Sequence, residues 1–167
     1  VAVFSDEAQR VYQTAQELGL FLSFHTGIHW HRIADYHPLL FDQVACAFPK
    51  LKFSMEHIGG YHFFKDALAV LCNQSRNEEG GAVYAGWTSI HMPADGIADE
   101  WSLSDLQLKT LLHQTDDDHS IFGLDYPYRR SETTKSDIDR ILHLDIPQES
   151  KEKILGKNLA DALKLDW

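Results

Sequence analysis

Apolar residues recur along the chain in two rhythms. Over residues 6–19, DEAQRVYQTAQELG, they return every three or four positions, the spacing of an amphipathic helix; Ser5 stands where an N-cap belongs, acids fill the first turn and Gly19 marks the stop. The next run, LFLSFHTG (20–27), is short and β-rich, and ends in polar residues and a glycine. The two rhythms then alternate. A loop, GIHWHRIADYHP, leads to a helix over about 38–48, with Pro38 in its first turn and Pro49 behind it. LKFSMEHIGG (51–60) reads as a second strand, YHFFKDALAVLCNQ (61–74) as a long helix and, after a turn over 75–81, AVYAGWTSI (82–90) as a third strand. The loop HMPADGIADEW precedes a helix over 102–115, capped by Ser102 or Ser104, and SIFGLDYP (120–127) is the fourth strand. Two helices, about 133–144 and 148–165, follow. Such alternation predicts parallel strands joined by crossover helices, in one α/β domain over residues 1–167.

Composition narrows the picture. Of 167 residues, 44% are hydrophobic and 24% charged, the balance of an ordinary globular protein rather than a disordered or fibrous one. A net charge of −10 argues against a nucleic-acid partner and offers no polybasic patch to a membrane, and no apolar run approaches the roughly 18 residues that span a bilayer. Cys46 and Cys72 are too few for a disulfide framework, so a reducing cytoplasm is expected.

In parallel α/β folds chemistry gathers at the C-terminal ends of the strands. Three of the four strands end in His25, His57 and Asp125. Alternation sets His25 on one face with Phe21 and Ser23, and Asp125 with Ile121 and Gly123, leaving Leu22, Phe24, Phe122 and Leu124 for the helix layer. It sets His57 with Phe53 and Met55, which leaves Lys52, Ser54 and Glu56 on the helix-covered face, a conflict. One strand-end histidine is commonly a hydrogen-bonded structural group, and Asp before Tyr-Pro a loop starter. Three such residues at equivalent ends converge on one mouth if the sheet curves, and imidazole with carboxylate is the donor set of a zinc or manganese site. Arg129, with Arg130, follows the fourth strand and suits a substrate carboxylate; Trp87, ending the third, suits an aromatic ring, although a loop pair and a core residue are the commoner outcomes. His62, Phe63 and Phe64 read as packing, His91, His113, His119 and His143 as surface, and Asp116–Asp118 as a solvated turn.

Taken together, LGLFLSFHTG (18–27), FPKLKFSMEHIGG (48–60), VYAGWTS (83–89), IFGLDYP (121–127) and KILGKNLADALKL (153–165) resemble the C-terminal part of the amidohydrolase-related, metal-dependent TIM barrels. The branch is that of aminocarboxymuconate semialdehyde decarboxylase and the aromatic-acid decarboxylases. The resemblance implies strands five to eight of a (β/α) barrel, closed by C-terminal helices. It implies that His25 is a metal ligand, that Asp125 is a ligand that also accepts a proton from water, and that His57 is the acid/base. The cofactor is then a divalent metal, zinc or alternatively manganese. The implied activity is hydrolysis of a small carboxylated or cyclic substrate through a metal-activated water, with non-oxidative decarboxylation on the same platform as the alternative. Lys65, rather than an arginine, is the cation nearest after His57, which tilts the expectation to hydrolysis.

The first-strand His-x-His of that family has no counterpart here. His29-Trp30-His31 has the spacing but lies in the loop after His25 and reads as part of the mouth. A full barrel takes about 250 residues, so the chain is expected to be the C-terminal portion of a longer polypeptide; a true half-barrel would present two bare strand edges and pair with a second copy as a homodimer. The rival class is a non-catalytic α/β module, flavodoxin-like or a half-barrel kept for association. Its nucleotide-binding version lacks any Gly-x-Gly-x-x-Gly or phosphate-cradling loop.

Overall fold

In the computed structural model, which describes residues 2–75, 81–93 and 95–166, four parallel strands form one sheet in chain order. β1 (Phe21–His25) pairs with β2 (Lys52–Glu56), β2 with β3 (Ala82–Thr88), and β3 with β4 (Ser120–Gly123). The intervening helices are α1 (Asp6–Leu18), α2 (Leu40–Ala47), α3 (Gly60–Gln74), α4 (Asp105–Thr115) and α5 (Ser131–His143), with α6 (Gln148–Glu152) and α7 (Asn158–Leu163) joined by a π turn over Lys153–Lys157. The expected caps are in place: Ser5 accepts from the Ala8 N–H, Gly19 ends α1 in the left-handed region, and Ser104 rather than Ser102 caps α4, in a reciprocal box with Gln107. Of the turn expected over 75–81, residues 76–80 lie outside the described residues.

A sheet whose spatial order is its chain order, with its crossover helices against one face, is a segment of barrel wall. A flavodoxin-like sheet reverses its order and carries helices on both faces. One core joins the helices to the sheet: Tyr12, Phe41, Val44, Phe64, Leu108 and Ile141 pack on Phe53, Met55, Val83, Ala85 and Trp87. The other face carries a smaller cluster, Ala82, Tyr84 and Ile121, covered by Phe21 and by Leu159 and Ala162 of α7. That cluster lies towards the strands' N-terminal ends, so the polar mouth is left to the opposite ends.

Two expectations about faces need correction. Phe53 and Met55, fully buried, point into the helix layer, so Lys52, Ser54 and Glu56 belong to the inner face. The conflict arose from treating His57 as part of β2, which ends at Glu56. Leu124, placed in the helix layer by alternation, is 52% exposed because β4 ends at Gly123.

The acidic turn before β4 is also no mere solvated loop. Lys153 Nζ lies 2.8 Å from Asp117 and 2.7 Å from Asp118, and Ser150 donates to Asp117. His119 is half-buried against Tyr84, and burial pushes its pKa down. Buried Asn158 donates to the carbonyls of Asp117 (2.6 Å) and Ser120 (2.7 Å), fastening α7 to the start of β4. Asn158→Ala leaves both carbonyls without this donor and is expected to cost roughly 1–3 kcal/mol of unfolding free energy in denaturant titration. A change within experimental error would show that the fastening contributes nothing.

Candidate active site

His25 ends β1 on the inner face. Its Nε2 lies 3.3 Å from the Ile28 carbonyl, which can only accept, so Nε2 carries the proton and Nδ1 keeps a free lone pair. The ring meets those of His57 and His29 at 4.8 Å and Trp101 at 5.5 Å. Burial, and secondarily the neighbouring His57, push its pKa down to about 4, which keeps the imidazole in the neutral form that binds metals.

Between the ordinary histidine value and about 4, the unfolded chain binds more protons here than the folded one. The metal-free protein is therefore expected to hold its full stability above pH 6.5 and to lose part of it as pH falls towards 4. His25→Gln removes that part of the slope in melting temperature against pH. Parallel slopes for the two proteins would refute the buried neutral histidine.

His57 reaches the site by a turn. His57 (φ 64°) and Ile58 (φ 51°) both occupy the left-handed region, costing on the order of 1–2 kcal/mol for each L-residue and most unusual for a β-branched one. This swings His57 out of the strand's alternation. Its Nδ1 lies 2.8 Å from the Thr88 carbonyl, so the proton sits on Nδ1 and Nε2 is the free atom of the neutral ring. The Thr26 hydroxyl donates to the Glu56 carbonyl at 2.6 Å and accepts from the Gly59 N–H at 3.0 Å, clasping the turn to β1.

Asp125 follows β4 with φ 54°, and Ser89, just after β3, has φ 54° as well. The Ser89 hydroxyl donates to Asp125 Oδ2 at 2.5 Å. Non-glycine residues held in this region at the ends of β2, β3 and β4 are the kind of strain that collects at functional sites.

His25, His57, Ser89, Trp101, Asp125 and Arg129 line one cavity of about 450 Å³. Trp101 was not foreseen. Its ring stands 4.9 Å from that of His57. The loop that carries it is braced by Asp99, which accepts from the Trp101 N–H (3.0 Å) and the Ser102 hydroxyl (2.7 Å) and faces His91 Nε2 at 2.8 Å. Burial opposes the charge on Asp99, but these partners outweigh it and hold the carboxyl below its usual range. A Cβ on Gly27 would overlap the Trp101 ring, and one on Gly60 would overlap the Glu100 carbonyl. Gly27 of His-Thr-Gly and the second glycine of His-x-Gly-Gly, Gly60, were thus the available signal: both mark a close approach by this loop. His91, expected at the surface, is half-buried and lines the cavity.

The other expected residues divide. Trp87 does not reach the site: it is fully buried in the helix-side core, because its position in β3 faces outward. Arg129 lines the cavity but gives Nη2 to both oxygens of buried Asp137, at 2.9 Å each, while its Nε is buried without a partner. His29 and Trp30 border the cavity as mouth residues; His31 lines a neighbouring one with His25, Arg32 and Tyr36.

The donors present suit a divalent ion in kind. His25 is neutral with Nδ1 free, and Asp125 offers a carboxylate whose Oδ2 alone is engaged by Ser89. Among the described residues no group of three His, Cys, Asp or Glu side chains converges closely enough to hold an ion. These two therefore fit as part of a ligand set. Among the described residues no helix is long and apolar enough to cross a membrane.

The fold has counterparts among solved structures. An uncharacterized TIM-barrel protein of Bordetella bronchiseptica superposes with a TM-score of 0.72 at 19% identity, over 98% of this chain and 52% of that one. A dihydroxybenzoic acid decarboxylase of Polaromonas, with bound manganese and an inhibitor, gives 0.64 at 12% identity, over 98% and 55%. An amidohydrolase of Burkholderia multivorans with bound zinc gives 0.62 at 14%, over 98% and 59%. The chain spans a little over half the length of each of these. No curated protein matches the sequence. The family model described as amidohydrolase matches residues 2–165, nearly the whole chain. With its parallel barrel-wall topology, the chain belongs to the amidohydrolase family.

Proposed function

We propose that this chain carries the acid/base group and part of the metal-binding set of a metal-dependent hydrolase acting on a small carboxylated or cyclic substrate. The reading rests on one observation: His25, His57 and Asp125 leave three different strand ends and line a single cavity, with the two imidazoles 4.8 Å apart. His25, through Nδ1, and Asp125 would hold a divalent ion, zinc or manganese, together with donors beyond this chain's described residues. Such an ion supplies Lewis acidity towards a substrate or water oxygen. His57 would give or take a proton at Nε2, its Nδ1 proton being held by Thr88. Asp125 would accept a proton at the oxygen that Ser89 leaves free. Trp101 shields both imidazoles on one side and offers a face to a flat ring. Arg129, its guanidinium held by Asp137, lines the same cavity and brings a fixed positive charge beside it, which favours a carboxylated substrate.

Decarboxylation is the second reading. Trp30, Trp101 and Tyr128 give the cavity aromatic walls that suit a planar acid. The test pairs elemental analysis of the intact protein with a panel of lactones, cyclic amides and aromatic or unsaturated carboxylic acids. Hydrolysis predicts a stoichiometric divalent ion and ring opening without carbon dioxide; decarboxylation predicts the ion with carbon dioxide released. Failure to retain any divalent ion after loading contradicts both.

A further inference from the structure

Glu56 is an ionisable side chain of this mouth to which the proposed function gives no role. It ends β2 on the inner face, and its partners come from three strands. Oε1 accepts from the Ser23 hydroxyl of β1 at 2.8 Å and from the Ser54 hydroxyl of β2, and Oε2 accepts from the Thr88 hydroxyl of β3. The space it fills is left by its neighbours: a Cβ on Gly86 would overlap Oε2, and one on Gly123 would overlap the Thr88 hydroxyl. A carboxylate with three hydroxyl donors, seated where two adjoining strands carry glycine, is a built feature and not a solvated strand end. It borders a cavity of about 440 Å³ that His25, His57, Thr88 and Asp125 also line.

Thr88 is the joint. Its side chain is held by Glu56, its carbonyl receives the Nδ1 proton of His57, and the next residue, left-handed Ser89, holds Asp125. We propose that Glu56 is a positioning residue: through Thr88 it fixes the end of β3 whose carbonyl keeps the His57 proton on Nδ1, so that Nε2 remains the atom available for proton transfer. The inference rests on the acid/base role given to His57 above. A neutral imidazole chooses its tautomer by the partner it is offered, and a carbonyl selects a donor only while it points steadily at the ring. Without the Glu56 anchor, the Thr88 side chain is free to rotate, and the last peptide of β3 loses its fixed direction.

The test reads the tautomer directly, by nitrogen-15 NMR of the histidine rings in the intact, metal-free protein at about pH 8, where an ordinary imidazole is neutral. The wild-type protein is expected to show His57 as a single Nδ1–H form. Thr88→Val, which keeps the side chain's shape, and Glu56→Ala are each expected to lose that single form and populate Nε2–H. Glu56→Gln, which retains an oxygen for Thr88, restores it, and Ser23→Ala leaves it untouched. Should Glu56→Ala fail to fold, Thr88→Val decides. A single Nδ1–H form retained in Thr88→Val, or a shift in Glu56→Gln as large as in Glu56→Ala, overturns the proposal. Because neither metal nor substrate enters the measurement, failure of the functional reading shows separately, as absent metal and turnover with the tautomer pattern intact.

Discussion

Asp125→Asn is expected to strip the intact protein of its divalent ion and its turnover while leaving the fold unchanged. The substitution keeps the size of the side chain and an oxygen for the Ser89 hydroxyl, so the left-handed turn after β4 has no new reason to rearrange. What it removes is the negative charge that a divalent ion pairs with and the basic oxygen that accepts a proton. Losing a group that merely orients a ligand costs about 10–100-fold in metal affinity, and loss of the ligand itself should exceed that. Isothermal titration with zinc or manganese, beside circular dichroism, makes the comparison. Full metal stoichiometry and turnover in Asp125→Asn would remove Asp125 from the site.

His57→Asn is expected to separate the two functions. The ion should stay, since His57 is read as the proton-transfer group and not as a ligand, while turnover falls by about 10²–10⁴-fold, the usual contribution of a positioned acid or base. The loss belongs in kcat more than in KM, because the proton moves in the transition state. Loss of metal in step with turnover would instead make His57 a ligand and reassign the chemistry.

The strand ends were legible in the sequence because each carries its own signal: a β-rich run stopped by a polar residue and glycine at His25 and His57, and by Tyr-Pro at Asp125. Ser5, Gly19 and Pro49 likewise mark ends by local chemistry alone. Faces were harder. All seven residues of β3 are buried, so no contrast along AVYAGWT tells inside from outside, and Trp87 was assigned to the mouth when it faces the helices. In β2 the polar residues line the barrel's interior, the reverse of the rule that polar means outward, and only the left-handed turn at His57 reconciles that face with the histidine's position. Trp101 and His91 were beyond reach for another reason: they arrive on a long loop whose path is set by contacts with Gly27, Gly60 and Tyr61, far away in the chain.

The account turns on whether His25 and Asp125 face one ion. Crystals of the intact protein loaded with zinc, measured at the zinc edge, test this most directly. The prediction is an anomalous peak within about 2.0–2.2 Å of both His25 Nδ1 and an Asp125 oxygen, with His57 beside it but unbound. An ion seated on other residues, with these two side chains making no contact to it, would contradict the account.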